Sequence, residues 1–100
     1  MSYSVIVLRK AQSDVLNARA WYEDESPGLG ERFSEALIAS FLRIAKHPTR
    51  YTPIGKEARI APVRRFPYRV FYTTNEAMKR VEIVAVIHNK RHPRVWKRRL

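Results

Sequence analysis

Two stretches in the second half of the chain, 66–73 and 80–88, place apolar residues at alternate positions. Alternation with a period of two indicates β-strands with one face buried. Because only a short loop around Asn75-Glu76 separates the stretches, we predict a β-hairpin. A slip of one residue would set charged groups against the apolar set, which fixes the register. The predicted core face holds Phe66, Tyr68, Val70, Tyr72, Val81, Ile83, Ala85 and Ile87. The predicted opposite face holds Arg65, Arg69, Phe71, Thr73, Arg80, Glu82, Val84, Val86 and His88.

The first half of the chain predicts a strand at 2–8 and then two helices. Ala11, Val15, Ala18 and Tyr22 repeat at helical spacing, so we predict a helix from about 11 to 25. Ser26-Pro27 has the residues favoured at a helix N-cap and first helical position, and Pro48 ends the second helix after His47. The short break between the helices predicts an antiparallel helical hairpin.

Together these elements predict an α+β fold. An N-terminal strand and the helical hairpin precede about three strands of a mainly antiparallel sheet, including a short edge strand around 58–61. The sheet face away from the helices is predicted to be partly open. We interpret residues 1–100 as a single domain.

The charge of the chain is strongly one-sided. The net charge of +11 lies wholly in residues 48–100, and the last thirteen residues hold six Lys or Arg and no acid. Such a segment attracts a polyanion or an acidic protein surface.

The absence of cysteine excludes disulfides and thiolate chemistry. His88 and His92 lack a third ligand, so we expect neither metal nor cofactor. No apolar run reaches bilayer length and the first residues lack the pattern of a signal peptide, so we expect a cytoplasmic protein without a membrane partner.

Several segments, taken in order, resemble the RelE/ParE toxin superfamily and its ParE-like branch in particular. These segments are Ala20-Trp21-Tyr22-Glu23, Ser26-Pro27-Gly28-Leu29-Gly30, Phe66-Pro67-Tyr68-Arg69-Val70-Phe71-Tyr72, Ala85-Val86-Ile87-His88, and Arg91-His92-Pro93 with Trp96. The resemblance implies a type II toxin that forms a hetero-oligomer with a cognate antitoxin. It also implies one of two activities: RelE-like toxins cut mRNA on the ribosome, and ParE-like toxins inhibit DNA gyrase.

The gyrase hypothesis places target binding in the basic C-terminal segment. Its predicted target-binding residues are Arg91, Arg94, Trp96, Lys97 and Arg98. A basic end with an exposed tryptophan suits an acidic protein patch or DNA phosphates. In the competing interpretation, Trp96 folds back on the core and the arginines are merely solvated.

The ribosome-dependent nuclease hypothesis requires a general acid, a general base and cations around a phosphate. The residues predicted to share one sheet face and to supply them are His88, Glu82, Arg65 and Arg69. RelE-like sites commonly use a tyrosine or a histidine–tyrosine pair near the end of the last strand or just beyond it, whereas here Asn89 follows His88 and no tyrosine occurs after Tyr72. These observations favour a gyrase inhibitor over an enzyme.

The antitoxin arm is predicted to lay an amphipathic helix on the helical hairpin and an extended stretch along a sheet edge. Its acidic residues are predicted to meet Arg65, Arg69 and the basic C-terminal segment. The candidate contacts are Trp21, Tyr22, Phe41, Leu42, Arg65 and Arg69. A hypothesis from another class, a basic nucleic-acid-binding module without toxicity, is also open at this point.

Overall fold

The computed structural model describes residues 2–92 and 94–99, so Pro93 of the C-terminal motif lies outside the described residues. The elements are β1 (Ser4–Val7), α1 (Arg9–Glu25), α2 (Leu29–Lys46), β2 (Thr52–Ile54), β3 (Ala58–Pro62), β4 (Tyr68–Asn75), β5 (Arg80–His88) and α3 (Arg94–Lys97). The predicted α+β class, the helical hairpin and the β4–β5 hairpin are confirmed.

The sheet has five strands in the order β1-β5-β4-β3-β2. β1 pairs with β5 in parallel, and the other neighbours are antiparallel. The prediction of about three strands after the helices missed β2, a three-residue strand that contains Pro53. Proline is tolerated there because β2 is the edge strand. β3 is therefore an inner strand, and its predicted edge position is wrong.

The first turn of α2 is capped differently from the prediction. Ser26 and Pro27 lie in the connecting turn, and the helix begins at Leu29 after Gly28, whose φ of 87° favours glycine. The carboxylate of Glu23 accepts hydrogen bonds from the backbone N–H groups of Gly28 (3.0 Å) and Gly30 (3.0 Å). These N–H bonds lower the pKa of the Glu23 carboxyl. A residue from the preceding helix thus does the work expected of Ser26.

The main core lies between the helical hairpin and one face of the sheet. Tyr22, Phe33 and Leu37 from the helices pack there against Tyr72 and Ile83 from the sheet. Burial raises the pKa of Tyr72 to about 12, and its hydroxyl donates a hydrogen bond to the carbonyl oxygen of Pro48. This bond ties β4 to the loop that follows α2.

A β-bulge in β5 changes which residues face the helices. Tyr72 pairs with Ile83 and Phe71 pairs with Ala85, so Val84 is an extra residue on β5. Beyond the bulge the alternation is inverted: Val86 joins the core under the helices, whereas Ala85 and Ile87 join a second cluster on the opposite face. The predicted facing is therefore correct up to Ile83 and wrong for Ala85, Ile87, Val86 and His88.

Candidate functional site

The face of the sheet away from the helical hairpin is partly covered by the C-terminal segment. Trp96 of α3 is only 4% exposed and packs in one cluster with Ala58, Phe71, Ala85 and Ile87. Its ring stacks on Phe71 with 6.0 Å between centroids and 19° between planes. The expectation of an exposed tryptophan is wrong, and the competing interpretation, in which Trp96 folds back on the core, is confirmed. The bulge turns Ala85 and Ile87 outward, and they form an apolar patch that Trp96 covers.

A second contact fixes the end of this segment. The guanidinium of Arg99 donates to both carboxylate oxygens of Asp14, at 2.6 and 3.0 Å, and to the carbonyl oxygen of Val84 at 3.0 Å. Asp14 also accepts a hydrogen bond from the backbone N–H of Val86 at 2.9 Å. β1 pairs with β5 only up to Ile83, so Asp14 and Arg99 occupy the edge of β5 that β1 leaves free. A bidentate pair of this kind gives a defined geometry.

The remaining cations of the segment project into solvent. Arg91, Arg94, Lys97 and Arg98 are all exposed, and the ion pairs among residues 2–92 and 94–99 use Lys79, Arg80 and Arg99 instead. Trp96 and Arg99 therefore hold a short scaffold from which four positive side chains extend. The arrangement suits binding to an acidic surface or to phosphates.

The four residues predicted for a nuclease are not brought together. Glu82 pairs with Arg80 at 2.9 Å and lies six residues from His88 along one strand, about 20 Å at the usual rise. Arg69 lies over the ring of Phe71 on the outer face, 5.4 Å from its centroid, and donates to the Arg91 carbonyl oxygen. Arg65 is outside the sheet, in a turn. The prediction that these side chains share a face is wrong, because the bulge inverts β5 before His88.

The structure instead places His88 beside a tyrosine that sequence reasoning did not connect with it. The rings of Tyr68 and His88 meet edge to face at 5.2 Å, since the two residues are cross-strand partners. His88 Nδ1 accepts a hydrogen bond from the Lys90 backbone N–H at 3.0 Å. Burial raises the pKa of the Tyr68 hydroxyl. Trp21 and Arg91 line the same small cleft.

The residues predicted to bind the antitoxin lie on several surfaces. Tyr22 is buried in an aromatic cluster with Phe33 and Phe66, so its predicted surface role is wrong. Trp21 is exposed but lies in the cleft with His88, on the other side of α1 from the hairpin groove. Arg65 and Arg69 line different grooves from each other.

Phe41 lines an apolar groove between α1 and α2. Its other lining residues are Val7, Gln12, Val15, Leu16, Arg19, Ser34, Leu37 and Ile38. The side chains of Leu16 (67%) and Ile38 (56%) are largely exposed, as is the nearby Leu42 (64%). Sequence reasoning missed Leu16 and Ile38, although their large apolar side chains flank the core stripes of the two helices. Large apolar groups exposed side by side indicate a binding surface.

Neither a group of metal-ligating side chains nor a helix able to cross a membrane occurs in residues 2–92 and 94–99.

Two solved toxin structures share this architecture. A chain of the RelBE2 toxin–antitoxin complex from Mycobacterium tuberculosis is 21% identical, with a TM-score of 0.62 over 88% of this chain and 99% of that chain. The free state of a double mutant of the E. coli toxin RelE is 14% identical, with a TM-score of 0.57 over 90% of this chain and 86% of that chain. The fold is therefore that of the RelE/ParE toxins.

The sequence itself identifies the family more narrowly. The family model described as "ParE toxin of type II toxin-antitoxin system, parDE" matches residues 5–93. No curated protein matches the chain. Because the match spans most of the chain, the protein belongs to the ParE toxin family and is a type II toxin.

Proposed function

We propose that this toxin inhibits DNA gyrase and that its exposed C-terminal cations contact the target. The observation that carries the proposal is the anchored segment: Trp96 and Arg99 hold it on the sheet while Arg91, Arg94, Lys97 and Arg98 project outward. A basic patch that is already held in place loses less conformational entropy on binding than a free tail does. Trp96 contributes to target binding by positioning these cations and not by contact. The proposed place of action is the cytoplasm.

The separation of the residues predicted to cleave RNA supports the gyrase proposal over a nuclease built on those residues. Cleavage of RNA needs proton-transfer groups within hydrogen-bond reach of one phosphate. Glu82 is about 20 Å from His88 along β5. Arg69 projects from the outer face of the sheet, opposite to the face that carries His88. These residues do not act on one phosphate without rearrangement of the sheet.

A ribosome-dependent mRNA nuclease is the second candidate, favoured by one observation. Tyr68, His88 and Arg91 line one cleft, which pairs two groups capable of proton transfer with a cation for phosphate. Under this hypothesis His88→Gln and Tyr68→Phe each abolish mRNA cleavage. Under the gyrase hypothesis both substitutions leave inhibition unchanged.

The experiment that separates the two functions applies the purified toxin to gyrase supercoiling and to ribosome-dependent mRNA cleavage in parallel. We expect inhibited supercoiling and intact mRNA. Cut mRNA with normal supercoiling contradicts the gyrase proposal and directs mutagenesis to Tyr68 and His88. Toxin released from its antitoxin by denaturation and refolding is suitable, provided that its melting transition is cooperative.

The cognate antitoxin is proposed to place an amphipathic helix in the apolar groove between α1 and α2. The family description names a toxin–antitoxin system, and the RelBE2 neighbour is a toxin–antitoxin complex. Leu16, Ile38 and Phe41 line this groove with apolar side chains, which suits the apolar face of an amphipathic helix. Acidic residues of the same arm are proposed to meet Arg65 and Arg69.

Calorimetric titration with the antitoxin tests this surface. Ile38→Asp is expected to weaken binding by roughly tenfold or more, because it places a charge in an apolar contact. Met78→Asp is the matched control, since Met78 is equally exposed (60%) but lies in the β4–β5 turn. Equal losses in both variants would remove the groove from the proposal, and unchanged affinity in Arg69→Glu would remove Arg69.

A further inference from the structure

A second basic surface lies between α2 and the turn that joins β3 to β4. One groove is lined by Arg32 and Arg43 from the helix and by Arg64 and Arg65 from the turn. Among the described residues that line this groove, Glu35 is the only one with a carboxylate. The helix contributes one continuous stripe to this groove, with residues 32, 35, 36, 39 and 43 at spacings of three and four. This surface is separate from the C-terminal segment.

Within the described part of the chain, these four guanidinium groups form neither ion pairs nor side-chain hydrogen bonds. The ion pairs there involve Lys79, Arg80 and Arg99, and the side-chain hydrogen bonds of arginine there are made by other residues. Like charges held close together repel one another unless a ligand neutralises them. The groove therefore concentrates positive charge that the fold itself does not need.

The backbone of the turn supports a functional role for these arginines. Arg65 has a φ of 72°, a left-handed backbone conformation that residues other than glycine rarely adopt. Strained backbone of this kind clusters at binding and catalytic sites. Here it accompanies two consecutive arginines that both line the groove beside α2.

The walls of the groove favour one kind of partner. None of the large exposed apolar side chains lies in it, because its apolar lining residues, Leu29, Ala36, Ala39 and Phe66, are all half-buried. A protein partner would be expected to use aromatic or aliphatic anchors. A single nucleic-acid strand would be expected to stack on an aromatic ring, but Phe66 packs against Tyr22 and Phe33.

We propose that this arginine groove binds the phosphate backbone of duplex DNA. Phosphate contacts need only suitably spaced cations, and arginine is well shaped for them. The choice of DNA over RNA rests on the proposed function, because gyrase acts on duplex DNA. The groove lets the toxin hold the DNA that its target carries while the C-terminal segment contacts the target.

The apolar groove and the arginine groove use different faces of α2. Ser34, Leu37, Ile38 and Phe41 line the former, and the stripe from Arg32 to Arg43 lines the latter. A partner helix between α1 and α2 therefore leaves Arg32 and Arg43 accessible, whereas Arg65 is also a proposed antitoxin contact. Ile38→Asp in the apolar groove is expected to spare binding of DNA at the arginine groove.

The test measures binding of the full-length toxin to a short labelled DNA duplex of arbitrary sequence by fluorescence anisotropy over a series of salt concentrations. Each phosphate contact contributes about 0.9 to the slope of log affinity against log salt. Arg32→Gln/Arg43→Gln and, separately, Arg64→Gln/Arg65→Gln are each expected to reduce the slope by about 2. Arg9→Gln/Lys10→Gln removes the same charge from the start of α1, where both residues are exposed, and is expected to leave the slope unchanged.

Equal slopes in wild-type toxin and both groove variants would overturn the proposal, as would an equal loss in the control. Tighter binding of duplex RNA than of duplex DNA would overturn the assignment to DNA. Gyrase is absent from the assay, so its outcome is independent of the proposed function. Toxin that binds DNA through the groove but leaves supercoiling normal contradicts only the proposed function.

Discussion

The two faces of the sheet differ in what covers them. The inner face is packed under two long helices, and the core between them contains the fully buried side chains of Phe33 from α2 and Tyr72 from the sheet. The outer face carries a small cluster closed by one tryptophan of a four-residue helix. The inner face therefore supplies most of the folding free energy, whereas the apolar surface of the outer face holds a basic segment in place.

This comparison predicts the largest loss of stability at Phe33. Phe33→Ala leaves a cavity at a fully buried site and is expected to lower the free energy of unfolding by about 4 kcal/mol. Urea denaturation measures the loss. Ile38→Ala, on an exposed face of the same helix, is expected to change stability by less than about 0.5 kcal/mol.

Trp96→Ala separates the two faces. We expect it to lower the free energy of unfolding by about 3 kcal/mol, less than Phe33→Ala, because the outer cluster is small and open at its rim. Inhibition of gyrase is expected to disappear while the helices and antitoxin binding are retained. Trp96→Phe, which keeps an aromatic ring over Phe71, should restore most of the activity. Full inhibition by Trp96→Ala would show that the anchor is dispensable.

Asp14→Asn weakens the second anchor of the segment. The substitution removes the charge that Arg99 meets, and it leaves the guanidinium half-satisfied on the edge of β5. A cost of about 2 kcal/mol in the free energy of unfolding is expected. Asp24→Asn changes an exposed carboxylate on the same helix and serves as the control. In a double-mutant cycle, Asp14→Asn and Arg99→Gln should be strongly non-additive; additive losses would argue against the pair.

The smallest effect concerns the helical hairpin and depends on pH. Backbone N–H bonds from Gly28 and Gly30 lower the pKa of Glu23 from its ordinary value of 4.5. A lowered folded-state pKa means that the carboxylate stabilises the fold above pH 4.5 and that this contribution is lost as the pH falls through the folded pKa. Urea midpoints of wild type and Glu23→Gln should differ at neutral pH and converge in acid. A constant difference would show that the charge of Glu23 is not involved.

The sequence predicted the elements with a strong period and missed the features that depend on single backbone positions. Alternation identified β4 and β5, and helical spacing identified α1 and α2. The bulge at Val84 leaves no mark in an apolar run, since valine, alanine and isoleucine suit either face. That one inserted position turns His88 away from the predicted site and turns Ala85 and Ile87 outward, where Trp96 packs on them. The cap supplied by Glu23 was missed because it comes from the preceding helix.

Gyrase supercoiling in the presence of matched charge variants tests the central claim most directly. Arg94→Gln/Lys97→Gln/Arg98→Gln removes three exposed cations of the anchored segment, and Arg9→Gln/Lys10→Gln/Arg19→Gln removes three exposed cations of α1. We predict that the C-terminal variant inhibits gyrase roughly tenfold or more weakly than wild type, equivalent to about 1.4 kcal/mol, and that the α1 variant inhibits it normally. Undiminished inhibition by the C-terminal variant, or the same loss in both variants, would contradict the account.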